Sequence, residues 1–312
     1  CTYIYEYNFA AAIRRRDTNM FETVVEKTER NWCYHREIGG TAAASLFSAL
    51  ITQLTLSLVP LYFRASWLAE QLVISATVLS FSLAVERLCK RLFRLHASAS
   101  LAICFHILIL WAVYFVAIRQ VVPWYVDVAV NGEMTMLLAA MYSVASVDPG
   151  VVNSKSYLLH RNEEIRDAVL DELTSKFISR TRHCLFCDRY VRGYDHHCAA
   201  FQNCIGAKNY CLFVVVLLGF ICTEISYILC SFQFSRALQL LVEIPAKLNV
   251  AGTLVMSTRL FCLLQVMWQV IFLSWHVYCI CFNIRTDEWV NWQNYPEFYT
   301  IIPLQSGENH VR

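Results

Sequence analysis

Six runs of about twenty mostly apolar residues dominate the chain, and a helix of that length crosses the ~30 Å hydrocarbon core of a bilayer. They cover residues 41–63, 67–85, 97–118, 123–146, 211–234 and 254–282. Inside lipid no water is available to the backbone, so each run must satisfy its own hydrogen bonds as a helix. Two runs carry polar interruptions: Glu70 near one end of the second, and Asp127 with Asn131-Gly132-Glu133 in the fourth, which predicts a bent or shortened span. Of the 312 residues only 16% are charged and 57% are hydrophobic, against roughly a quarter charged in soluble domains. That composition cannot clothe a water-facing surface, and it excludes disordered and collagen-like chains. A formal net charge of +2 is too small to mark a nucleic-acid-binding surface.

Lys and Arg in the connecting segments set orientation, because they are retained on the cytoplasmic side. The counts are six before the first span, one at Arg64, four from Arg87 to Arg94, one at Arg119, nine between spans four and five, and two at Arg236 and Lys247. High and low alternate throughout. The chain therefore divides into a cytoplasmic N-terminal segment (1–40), four spans (41–146), a cytoplasmic loop (147–210), two spans (211–282) and a cytoplasmic tail (283–312). The C-terminus has no prenylation box, and a start at Cys1 leaves room for an upstream piece.

Fourteen cysteines do not follow the spacing of a small disulfide scaffold. Cys104, Cys222, Cys262 and Cys279 lie within apolar runs, where a thiol behaves as a small hydrophobe. The polar-flanked ones lie in the central loop. It opens on Asp148-Pro149-Gly150, a turn that also stops a helix. Residues 160–180 follow, with Ile165, Ala168, Val169, Leu173, Phe177 and Ile178 at the spacing of an amphipathic helix. Then come His183-Cys184 and Cys187, Asp195-His196-His197-Cys198, and Asn203-Cys204-Ile205-Gly206. Cys184 and Cys187 form a zinc knuckle that needs a second pair of soft ligands, and His196, His197, Cys198 and Cys204 are the candidates.

This pattern resembles the Asp-His-His-Cys family of integral-membrane protein S-acyltransferases, or palmitoyltransferases. Beyond the central motif the resemblance includes Asp148-Pro149-Gly150, Asn203 to Gly206, and Asn209. It also includes Thr286-Asp287-Glu288-Trp289, similar to a Thr-Thr-x-Glu motif with Arg285 in place of the first Thr. It implies an all-α polytopic membrane protein with a small zinc-stabilised cytoplasmic Cys-rich domain between spans four and five, the first two spans being an addition to the usual four. It further implies one structural zinc on Cys184, Cys187, His197 and Cys204, with Cys198 as nucleophile, His196 as base and Asp195 orienting that base. A thiolate attacks thioesters well, and an imidazole with a carboxylate partner supplies one at neutral pH. The implied reaction takes a long-chain acyl group, palmitoyl above all, from acyl-CoA through an acyl-Cys198 intermediate to membrane-associated protein substrates at the cytoplasmic face. The implied location is an endomembrane, Golgi or endoplasmic reticulum.

Two departures qualify the resemblance. A second zinc site would need ligands at Leu170, Leu173, His183 and Tyr190, of which only His183 can ligate, so one ion is expected. The family's Pro-Trp after the motif Cys is replaced by Ala199-Ala200-Phe201. These motivate a rival reading, a catalytically weak scaffold. A metal transporter would need ionisable residues facing one another across spans, and a nucleic-acid reader would need a knuckle-to-helix spacing that the loop lacks. Glu224 in span five is expected to be a neutral carboxyl bonded to Gln265 or Gln269. His106 and His276 are expected to be neutral helix residues, the aromatic run 289–299 a headgroup anchor, and Arg14-Arg15-Arg16 a topology signal.

Overall fold

The computed structural model describes residues 20–63, 67–93, 97–152, 180–241, 250–294, 301–303 and 309–311. The helix expected over 160–180 (all but Arg180), Leu170 and Leu173, Arg14 to Arg16, and Tyr295, Phe298 and Tyr299 lie outside the described residues. The apolar runs are helical: α1 (Met20–Tyr62), α2 (Leu68–Phe93), α3 (Ala99–Val113), α4 (Trp124–Ser146), α5 (Tyr210–Leu241) and α6 (Val250–Cys281). Among the described residues six helical stretches are long and apolar enough to cross a membrane, the third running from Ala99 through the turns after α3 to Val121. The short helix α7 (Thr286–Val290) follows the last of them.

Helix α5 packs on α4 and α6, while α1 packs on α2, α3 and α6. Tyr114, Ile118, Val130, Met134, Val144, Phe213 and Tyr227 fill the seam where α3, α4 and α5 meet. The polar interruption does not shorten the fourth span, which is one helix from Trp124 to Ser146. Two of its polar groups are paired: Asp127 accepts from Arg119 Nε (3.0 Å) and Tyr114 Oη (3.2 Å), and Asn131 accepts from Trp111 Nε1 (2.8 Å). Helix α3 instead changes pitch, through a π turn at Tyr114–Ile118 and a 3-10 turn at Arg119–Val121.

Between α4 and α5 the described loop is built of short strands. An antiparallel sheet in the order β1 (Val151–Val152), β3 (Arg189–Arg192), β2 (Thr181–Cys184) stands beside a hairpin of β4 (His196–Cys198) and β5 (Asn203–Ile205). A third pair, β6 (Ile301–Pro303) and β7 (Asn309–Val311), lies in the tail. The Asp148 carboxylate caps the Asp-Pro-Gly turn by accepting from the Gly150 and Val151 amides (3.0 and 2.9 Å), and it pairs with Lys208 at 2.6 Å. The Lys208 hydrogen bond and those amides lower its pKa to about 2.

Gly206 sits where three backbone segments converge. A Cβ there would lie 2.5 Å from the Pro149 carbonyl oxygen and 2.6 Å from Val191 Cγ1. Overpacking against fixed backbone costs about 1–3 kcal/mol, so Gly206→Ala is expected to destabilise the loop by about that amount. Thermal unfolding in detergent, followed together with retained metal, measures it; an unchanged midpoint would contradict the packing described.

A Cys/His cluster and a Cys-His-Asp constellation on one hairpin

The hairpin β4/β5 organises the site. Its register pairs His196 with Ile205, His197 with Cys204 and Cys198 with Asn203. Along a strand, side chains alternate between faces, so His197 points to one side while His196 and Cys198 point to the other.

On the first side the donor atoms of Cys184, Cys187, His197 and Cys204 all lie within 4.8 Å of one another. His197 Nδ1 is 3.4 Å from Cys187 Sγ and 3.7 Å from both Cys184 and Cys204 Sγ, and the Cys187–Cys204 sulfurs are 3.5 Å apart. A tetrahedral ion with bonds of about 2.3 Å to sulfur and about 2.0 Å to nitrogen has edges near these lengths. The electrostatics agree. Burial works against ionisation of Cys184, but the Cys187 and Phe186 amides and the neighbouring thiols overcome it and lower its pKa. Burial raises that of Cys204, and the crowded sulfurs add to the effect. His197 is lowered by burial and by His196, which keeps its ring neutral and able to ligate. Crowded sulfurs with a neutral imidazole call for a cation at their centre, and the cluster could hold a metal ion.

On the second side Asp195, with 0% exposure, accepts from His196 Nδ1 at 2.8 Å. Its other carboxylate oxygen accepts from the Thr286 amide (3.0 Å), and its backbone oxygen from the Asp287 amide (3.1 Å), so the start of α7 is docked on it. Burial alone would raise the Asp195 carboxyl, but the His196 and Thr286 hydrogen bonds win and lower it. For His196 burial likewise opposes the charged form, yet the Asp195 hydrogen bond and the nearby Cys198 sulfur raise its pKa to about 9. Cys198 is half-buried, lies outside the four-donor cluster, and packs with Ala200 against the apolar core of the spans. The Ser100 hydroxyl at the start of α3 donates to the Ala199 carbonyl (3.4 Å), which ties the turn after Cys198 to the bundle. Phe201, in the segment that departs from the family pattern, is buried and meets Phe213 edge-on.

Of the residues named from the sequence, Cys184, Cys187, His197 and Cys204 lie together, with Asp195, His196 and Cys198 beside them. His183 is drawn away to Asp188 (3.1 Å) and packs on Tyr190. Glu224 accepts from Gln269 at 3.0 Å, whereas Gln265 does not bond it. Sequence reasoning missed the support. His276, fully buried, packs 6.0 Å from the His196 ring, and its Nδ1 shares a hydrogen bond with the Tyr210 hydroxyl at 3.1 Å. Phe213 and Phe272 box it in. The signal available was position, since His276 lies ten residues before Thr286 and must face the loop. Arg180 also went unnoticed; it pairs with the buried Glu288 carboxylate at 2.7 Å and donates to the Asn283 carbonyl at 2.7 Å, bracing α7.

Residues 166–293 match the family model for DHHC palmitoyltransferase. The chain is similar to palmitoyltransferase AKR1 of Mortierella alpina, at 29% identity over 138 residues, covering 41% of this chain and 24% of that protein. It is similar to palmitoyltransferase ZDHHC18 of Homo sapiens, at 30% over 118 residues, covering 35% and 28%. It is also similar to palmitoyltransferase ZDHHC4 of Rattus norvegicus, at 29% over 153 residues, covering 44% of each chain. The chain spans less than half the length of these curated relatives.

The Asp195–His196 pair makes a signed prediction. The folded His196 pKa of about 9 lies above its ordinary 6.5, so the stabilisation from its protonation is complete below about pH 6.5 and is lost as the pH rises through about 9. Asp195→Asn is expected to lower stability by about 2 kcal/mol near pH 6, the magnitude of a hydrogen bond to a charged group. That deficit should shrink toward pH 10, as read by thermal unfolding of both proteins across the range. A deficit independent of pH would contradict the ion pair.

Proposed function

Because residues 166–293 carry a domain of the DHHC palmitoyltransferase family, we propose that this protein is a membrane S-acyltransferase. In this reading it moves a long-chain acyl group from acyl-CoA to cysteine thiols of membrane-associated proteins. The observation that carries the reading is the sorting of the hairpin: Cys198 is left out of the four-donor cluster and shares its face with a histidine already bonded to a buried carboxylate. A metal-ligated sulfur would be a poor attacking group, whereas an uncoordinated thiol beside an imidazole is an activated nucleophile.

The chemistry then follows in two steps. His196 takes the Cys198 proton, the sulfur bonds to the thioester carbonyl carbon, and the bond to the CoA sulfur breaks, with CoA leaving as the thiol after the proton returns. A substrate cysteine repeats the exchange on acyl-Cys198 and regenerates the free thiol. Asp195 holds the ring with Nδ1 toward itself and stabilises the imidazolium. The donor set suits a structural zinc, whose four protein ligands leave no open position, and which would fasten the knuckle to the hairpin. The packing of Cys198 against the spans suits an acyl tail in the membrane with CoA in water. The alternation of basic segments supports a cytoplasmic site, and an endomembrane location, Golgi or endoplasmic reticulum, belongs to the same reading.

Incubation with palmitoyl-CoA is expected to add one hydroxylamine-sensitive palmitoyl mass to the intact wild-type protein and none to Cys198→Ser. His196→Ala should slow the addition by about 10²–10⁴-fold, the usual contribution of a general base. An adduct of undiminished rate in Cys198→Ser would sink the assignment.

A further inference from the structure

The short helix α7 has two faces with different neighbours. Its inner face serves the site: the Thr286 amide donates to the Asp195 carboxylate (3.0 Å) and the Asp287 amide to the Asp195 backbone oxygen (3.1 Å), while the buried Glu288 pairs with Arg180 at 2.7 Å. The outer face is apolar and open, with Trp289 52% and Val290 68% exposed. Ring contacts join that face to the last turns of α6. Trp289 meets Trp275 edge-on at 5.4 Å and Tyr278 at 6.2 Å, and the Trp275 indole N–H donates to the Thr286 hydroxyl at 3.4 Å. Trp275 therefore touches both the open face and the residue that grips Asp195.

Continuity and depth say what covers the open face. Tyr278, itself exposed, is in ring contact with Phe282 (4.5 Å) as well as with Trp289, and Ile280 and Phe282 are exposed at the end of the same helix. The apolar surface of α7 thus continues the surface that the last span turns outward. Helix α6 has 32 residues, about 48 Å at the α-helical rise. The hydrocarbon core takes up ~30 Å of that length and the bilayer with its headgroups ~40–45 Å. Its ends therefore stand in the headgroup layer, and α7 starts at Thr286, just past the end at Cys281. Trp and Tyr favour that layer, where the ring is apolar on one side and wet on the other.

We propose that the outer face of α7 is a bilayer-contact surface, seated between phospholipid headgroups and acyl chains, and that this contact holds the Thr286 and Asp287 amides on Asp195. Anchoring of the tail and orientation of His196 then become one event. When the headgroup layer withdraws from Trp289, the support that Trp275 gives Thr286 weakens, and the amides release Asp195 more often. The effect on rate rests on the acyl-transfer reading; the lipid contact and its transmission to Asp195 do not.

The full chain in nanodiscs tests this with two readouts that need no activity. Benzoylphenylalanine in place of Trp289 or of Val290 is expected to give phospholipid adducts on irradiation, detected by mass spectrometry. Hydrogen exchange, which reports local opening, is followed in peptides covering residues 283–291. The Thr286 and Asp287 amides are expected to exchange faster by about fivefold or more in a thin dilauroyl-phosphatidylcholine bilayer than in a dioleoyl one. Trp289→Ser in the thicker bilayer should produce the same acceleration, and Trp289→Phe should not. Val290→Ser, which leaves the contacts of Trp289 with Trp275 and Tyr278 in place, should accelerate exchange too and guards against misfolding of the first variant. Absence of phospholipid adducts would overturn the proposal, as would exchange that ignores both bilayer thickness and Trp289→Ser. Acylation of Cys198 by palmitoyl-CoA should slow in parallel, and a constant rate beside responding exchange would overturn the link to His196. Responding exchange with no acylation in either bilayer would leave the coupling standing and remove the acyl-transfer reading instead.

Discussion

The two-residue period of a β-strand is the constraint on which the site rests. Adjacent side chains on β4 must leave on opposite faces, so the histidine at 197 and its neighbours at 196 and 198 cannot serve the same centre. A helix would put these three positions about 100° apart and blur that division. The short strand therefore gives one segment two separate environments: one crowded with sulfur, the other a carboxylate-backed imidazole beside a thiol. Antiparallel pairing with β5 completes the first by placing Cys204 opposite His197.

A three-residue strand cannot hold this geometry by itself, and the membrane helices supply the rest. Asn203 donates to the Val144 and Val147 carbonyls at 2.9 Å each, using orphan acceptors at the end of α4. Asn209 donates to the Cys204 carbonyl (2.9 Å) and accepts from the Gly206 amide (2.8 Å), which binds the end of β5 to the start of α5. The amides of Thr286 and Asp287 grip Asp195 from the far side. Three elements separated in sequence by the whole loop and two spans thus converge on one hairpin. Its position at the edge of the bundle is fixed by the same bonds that satisfy the helix ends.

The spans were legible because lipid imposes length and apolarity on any crossing segment. A soft-ligand cluster was legible because soft ligands at close spacing have few other uses, whereas the choice among His196, His197, Cys198 and Cys204 came from the resemblance. What escaped was long-range satisfaction of polar groups. Asp127 and Asn131 read as breaks in α4, since nothing local in the sequence announces Trp111, Tyr114 and Arg119 as their partners. His276 read as a lone helix residue, although it shares one hydrogen bond with Tyr210 behind His196. Periodicity reports which face a residue occupies; it does not report what stands opposite.

Behind the reactive face, polarity is distributed unevenly, and that has a chemical consequence. Near His196, Asp195 has three donors across its side-chain and backbone oxygens, and Tyr210 and His276 share one hydrogen bond, while His276 Nε2 is buried without a partner. In a low-dielectric setting the hydrogen bond to Asp195 is strong, so the His196 imidazole is held in one orientation before any substrate arrives. Farther into the bundle, Glu224 and His106 likewise each keep one unsatisfied atom. Removing Asp195 or His196 would strand a buried charge, because each is the partner that offsets the other's desolvation.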